Sequence, residues 1–494
     1  MIYDLRSMIC GQCESGARPS WTAPAERSGD GAFGRTITIQ SNYDHQACEK
    51  RGRAALAPAV QDALRLVVLF GGLFAIILGG LPATSARAET LLLTGATVHT
   101  VSGDTITNGQ VLVRDGKIAA VGTTVSATDA KRVALDGLHL YPGMVALNTD
   151  LGLAEIDAVR ATLDMREVGD YTPDVYSWLA VNPDSELLPV ARAGGISHFE
   201  PVPQGGVVAG QSGLLALDGW TTEQMVARKF VALHVYWPSA NLDTTPKEKS
   251  HNPAKWKSLD DQAKDRAEKL RQLDDFFAEA RAYAKAKKSG KEFQIVPAWE
   301  AMLPMVSGEI PVTVHADDVR QIRAAVNWAV TNRVKLVLAD ALNAWRVAEL
   351  LATNNVPVIF SHVFTQPQRE SDAYDVHFSA PAILNKAGVK VVFSGGGGSL
   401  VKNMPYAAAQ AVAFGLPSVE ALKGITLYPA QITGVADRLG SIEAGKDATF
   451  FVTDGDVLDV RSNVKRMWIG GQEVSLENRH TRLYEKYKNR PKTQ

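Results

Sequence analysis

Cysteine is nearly absent from this chain: there are three in 494 residues, Cys10, Cys13 and Cys48. Beyond residue 48 the chain has no disulfide, no thiol nucleophile and no thiolate ligand. Cys10 and Cys13 have the C-x-x-C spacing of a redox or zinc site, but no second pair follows, and the spacing alone is weak. Net charge is absent as well. The 52 Lys and Arg against 53 Asp and Glu leave −1, and no basic stripe is interleaved with aromatics, so nucleic acid is not an expected partner. The glycine-rich segments 204–213 and 395–398 do not continue into G-K-S/T, which excludes a P-loop. Both read as tight turns, with an oxyanion-binding role as the alternative.

What is present divides into two parts. Residues 66–81 (LVVLFGGLFAIILGGL) form an uncharged apolar run, preceded by Arg51, Arg53 and Arg65 and followed by small residues up to Ala88. This is the layout of a secretory signal cleaved after Ala88, which implies a periplasmic or secreted protein. The run is shorter than the ~20 residues of a spanning helix, so contact with a membrane is expected only through this leader. Residues before about Arg51 do not look like an export signal, and the expected start of translation lies near there. At 494 residues, 46% hydrophobic and 21% charged, the remainder is long enough for more than one core.

From residue 91 to 134 short strand patterns alternate with turn signals. Asp115-Gly116 is a hairpin dipeptide between two alternating runs. A matching β pattern returns at 439–471. The expectation is a small composite β-sandwich from residues 89–141 and 438–478, wrapped around a central domain at 142–437, with a tail at 479–494. In the centre, apolar runs at 144–147, 196–200, 230–235, 311–315, 335–339, 356–361 and 390–394 alternate with helical patterns. Such strand–helix repetition predicts an α/β fold, a TIM-like (β/α)8 barrel. Residues 258–289 predict a long amphipathic helix capped by Ser258, with Leu270, Leu273, Phe276 and Phe277 turned inward.

Three motifs carry a family resemblance. The first is Leu91–Val98 with Asp115-Gly116-Lys117-Ile118 and Tyr141-Pro142-Gly143. The second is Pro311-Val312-Thr313-Val314-His315-Ala316. The third is Thr426-Leu427-Tyr428-Pro429-Ala430, continuing through Gly440-Ser441-Ile442 to Gly445-Lys446-Asp447-Ala448. In this order they resemble the amidohydrolase superfamily, nearest its imidazolonepropionase-like members. The resemblance implies a metallo-dependent barrel that hydrolyses carbon–nitrogen bonds in small amide- or peptide-like molecules. In such enzymes the metal activates a water while an aspartate carries the proton.

Carried over residue by residue, the resemblance departs from its pattern. The two first-strand histidines fall on Asn148 and Asp150. The fifth-strand histidine is retained as His315, the next falls on Asp340, and no aspartate stands near Gly395. His315, Asp150 and Asp340 are therefore the candidate metal ligands, for one divalent ion (zinc, manganese or magnesium) or for none, since oxygen donors favour harder ions. The candidate catalytic residues are His315, His362 and Asp340; Asn148 and Arg160 are candidates for substrate binding. Plain hydrogen-bonded structural roles compete at each position, and His198 and His234 read as structural. Glu300 reads as part of a helix start. Three functions compete: an exported hydrolase with an atypical metal site, a catalytically inactive amidohydrolase-like binding protein, and a metal-free hydrolase pairing His315 or His362 with a carboxylate. Each takes a small-molecule substrate or ligand, and each is compatible with a homo-oligomer.

Overall fold

The structure, a computed structural model, describes residues 89–290 and 294–491. The predicted leader, its cleavage point and the Cys10–Cys13 pair lie outside these residues. Among the described residues no helix is long and apolar enough to cross a membrane.

Leu91–Val98 (β1) pairs with Ile106–Arg114 (β2), which turns back into Lys117–Gly122 (β3). The turn is Asp115-Gly116, with φ of 50° and 75°. Both residues are left-handed, as a two-residue hairpin turn of this twist requires. On the other side of β1 run two short parallel partners, Lys131–Ala134 (β4) and His139–Pro142 (β5).

The chain then enters a closed eight-stranded barrel: Met144–Thr149 (β6), Ile196–Pro201 (β7), Val208–Ala216 (β8), Val226–Tyr236 (β9), Val312–Ala316 (β10), Leu336–Asp340 (β11), Val358–Phe360 (β12) and Val391–Gly396 (β13). Seven strands run one way. The eighth, β8, is antiparallel to both β7 and β9, so the barrel departs from an all-parallel (β/α)8 closure. Most of the segment read as a glycine-rich turn, 204–213, is in fact this strand. Its glycines serve close packing: a Cβ on Gly213 would lie 2.9 Å from Trp178, and one on Gly210 (φ +124°) 2.6 Å from the Val175 carbonyl. Helices Val319–Asn332, Ala348–Thr353 and Val376–Lys386 connect the later strands.

Phe450–Thr453 (β14), Val464–Ile469 (β15) and Gln472–Glu473 (β16) complete the first sheet, in the order β16-β15-β14-β5-β1-β2-β3. The two predicted β segments therefore meet in one sheet around a shared core. Along β14 the side chains alternate as a strand requires. Phe450 and Val452 join Leu93, Val111 and Trp468 in the sheet core, whereas Phe451 joins the barrel core. The long helix is Leu259–Lys288. Ser258 accepts the Asp261 N–H at its start, and Leu273 and Phe277 are buried. The expected tail contains a further helix, Arg479–Lys488, capped by Asn478.

Candidate active site

Eight polar side chains, one from each barrel strand or the residue just after it, form a connected hydrogen-bonded ring: Asn148, Glu200, Ser212, His234, His315, Asp340, Ser361 and Ser394. On the parallel strands they lie near the C-terminal ends, the end that carries the active site in this architecture. Asn148 and Asp340 have φ of 54° and 66°. Asn and Asp enter this left-handed region more easily than other side-chain-bearing residues. The Asn148 amide donates to Asp340 Oδ1 at 2.9 Å and to Ser361 Oγ at 3.2 Å. Its backbone N–H donates to Glu200 Oε2 at 3.3 Å, and its carbonyl accepts the Ser394 hydroxyl at 2.9 Å.

The rest of the ring is a line of imidazoles between two carboxylates. Asp340 Oδ2 lies 2.9 Å from His315 Nδ1, and His315 Nε2 lies 3.1 Å from His234 Nδ1. His234 Nε2 reaches Ser212 Oγ at 2.8 Å, and that hydroxyl donates to Glu200 Oε1 at 2.7 Å. Tyr236 stacks on His315 with ring centres 4.2 Å apart, and burial pushes its phenol up.

Proton positions follow from this pattern. Ser212 spends its proton on Glu200, so His234 Nε2 must carry one. Asp340 needs one from His315 Nδ1, and the contact between the rings needs one more. Two imidazoles thus hold three protons and share one positive charge between two carboxylates. Burial pushes Glu200 up, but His234, Ser212 and the Asn148 N–H outweigh it and hold the carboxyl below its ordinary value. Burial likewise opposes the Asp340 charge. The charge and N–H of His315, the Asn148 amide and the charge of His362 prevail, and Asp340 sits well below the usual carboxylate range. Burial lowers His234, with Glu200 offsetting only part of the effect. Of the four ionisable groups only Asp340 reaches the mouth, its side chain 30% exposed against 3% or less for the others.

The remaining predicted residues fall apart from the ring. Asp150 accepts the Gly398 N–H in a loop, where burial raises its carboxyl. It does not join His315 and Asp340. Arg160 is exposed on a short turn of 3-10 helix, Arg160–Thr162. His362 does stand at the mouth. Its Nε2 meets Asp317 Oδ1 at 3.1 Å and its Nδ1 the Thr365 hydroxyl at 3.0 Å. Asp317 is itself held by the Leu342 N–H. Glu300 bonds Tyr283 and Lys287, outside the ring. His198 is buried against the Ser197 hydroxyl. Glu200, Ser212 and the role of His234 were not legible from spacing. The one available signal was polar residues within strands otherwise buried on every side.

A model of the amidohydrolase family matches residues 223–474, just over half of the chain. The chain belongs to the amidohydrolase family. Amidohydrolase tasK of Hapsidospora irregularis is 24% identical over 400 residues, covering 74% of this chain and 39% of that protein. The chain thus spans about two-fifths of that curated relative's length. The crystal structure of an amidohydrolase from Thermotoga maritima MSB8 superposes with a TM-score of 0.68 at 27% identity, over 78% of this chain and 99% of that one.

The metal expected from the family does not fit the donors that this amidohydrolase presents. A bound ion needs three or more donor atoms converging on one point. Here successive contacts use opposite nitrogens of each ring, which makes a line rather than a cage. Among the described residues no group of three His, Cys, Asp or Glu converges in that way. The trio His315, Asp150 and Asp340 fails because Asp150 is in the loop and both His315 nitrogens are engaged within the ring.

Proposed function

We propose that this amidohydrolase hydrolyses carbon–nitrogen bonds in small amide-like molecules at the barrel mouth, with His362 as the group that moves the proton. The reading rests on one observation: the partly exposed His362 imidazole is held by Asp317 beside the ring's Asp340. Asp317 fixes the proton on Nε2 and leaves the Nδ1 lone pair facing the Thr365 hydroxyl. A water hydrogen-bonded to Thr365 gives up a proton to that hydroxyl, whose own proton passes to Nδ1, as the water oxygen bonds to the carbonyl carbon. The imidazolium, stabilised by Asp317, then returns that proton to the departing amine nitrogen as the C–N bond breaks.

Amine release from N-acyl amino acids and dipeptides by the purified full chain tests this. His362→Ala is expected to lower kcat by about 10²–10⁴. Absence of any release, or release indifferent to this substitution, would overturn it. Binding without turnover is the second reading, supported by the self-satisfied ring; a ligand held tightly and recovered intact would select it. The leader pattern supports an extracytoplasmic location, which cell fractionation checks.

A further inference from the structure

A pocket of about 360 Å³ opens between the segments that follow β12 and β13. That volume falls within the range of small-molecule sites. Ser361 and Ser394 belong both to its wall and to the polar ring, and Thr365, the hydroxyl partner of His362, lines it too. The pocket therefore adjoins both halves of the candidate active site. Another cavity, about 710 Å³, lies at the opposite end of the barrel, where Pro311, Lys335, Pro357 and Lys390 precede their strands.

The lining of the smaller pocket has a definite chemistry. None of its twelve residues is charged, although Lys, Arg, Asp and Glu make up 21% of the chain. Phe360, Val363 and Met404 form an apolar wall, and Phe364 and Leu400 stand at the rim, each 57% exposed. Two large apolar side chains left in water beside a polar mouth are accounted for if a ligand covers them. A charged substituent entering here would lose its hydration and meet no counter-charge, whereas an apolar one would gain from burial. Met404 adds a flexible wall that adapts to shape.

We propose that this pocket sets specificity, and that it takes an uncharged aromatic or branched aliphatic group attached next to the scissile amide. The assignment of the amide's position rests on the hydrolase reading above; the assignment of the pocket's chemistry does not.

The test uses the full chain with N-acetyl amides of Phe, Leu, Ala, Lys and Glu as probes, with binding measured by calorimetry and amine release measured separately. The Phe and Leu probes are expected to bind about tenfold or more tighter than Ala, and the Lys and Glu probes no better than Ala. Leu400→Glu, at a rim position 57% exposed, is expected to abolish the Phe preference and favour the Lys probe. Ala407→Phe, which fills the pocket, should weaken the Phe probe about tenfold and spare the Ala probe. No binding of any probe, a flat series, or an order unchanged by Leu400→Glu would overturn the pocket assignment. Preference without amine release would support the pocket and retire the hydrolase reading alone.

Discussion

At the scale of single residues, the ring depends on matched charge. His234 and Glu200 are both almost wholly enclosed. Removing one partner of such a pair leaves the other charge buried and uncompensated, at a cost of about 3–5 kcal/mol. His234→Ala is therefore expected to lower the urea midpoint sharply at neutral pH, and adding Glu200→Gln is expected to restore part of the loss. If the double variant is no more stable than the single one, the charge assignment is wrong. His198 gives a pH dependence of a different origin. Burial and the charge of Arg438 push its imidazole down to about 3 from 6.5. The fold favours the neutral ring, and the unfolded chain takes up the proton first. The contribution is fully present above pH 6.5 and is lost as the pH falls from there toward about 3, at about 1.4 kcal/mol per pH unit. His198→Gln is expected to flatten the decline of unfolding free energy between pH 6.5 and 4.

At the scale of elements, β8 separates what a sequence reveals from what it hides. Its neighbours in the barrel were legible as short apolar runs between helical patterns. β8 was not, because eight of its nine residues are buried, so no inside–outside alternation marks it, and Gly210, Gln211, Ser212 and Gly213 interrupt the apolar run. A central strand with small residues packed against Trp178 looks the same, in one dimension, as a turn. The strand is correspondingly intolerant. Gly210→Val combines a strained φ with a clash against a backbone carbonyl and is expected to lose the fold in expression trials. Gly290→Ala, at φ +68° with nothing within 4 Å among the described residues, is expected to cost only about 1 kcal/mol in a denaturation curve. The site shows the same contrast. His315 and Asp340 were identifiable by their place at strand ends. The line joining them to His234, Ser212 and Glu200 depends on three further strands coming into register, which no local spacing encodes. Asp150, directly after β6, bonds the Gly398 N–H instead of joining the line, and Arg160 lies on an exposed turn further along the same loop.

At the scale of the whole molecule, the architecture was legible because each end of the chain carries its own β pattern. Asp115-Gly116 announced the first hairpin, and the recurrence after residue 439 announced its counterpart. What the sequence left open was how firmly the two parts are tied, and β14 answers that by sending alternate aromatic residues into the two cores. The arrangement also sets a timetable for synthesis. β5 leaves the ribosome about 300 residues before β14, its antiparallel neighbour. At about 5–20 residues per second the open flank of β5 waits roughly 15–60 s. During that interval β5 is an unpaired edge, open to pairing with other nascent chains, so the growing polypeptide has reason to be met by a chaperone before its last strands emerge.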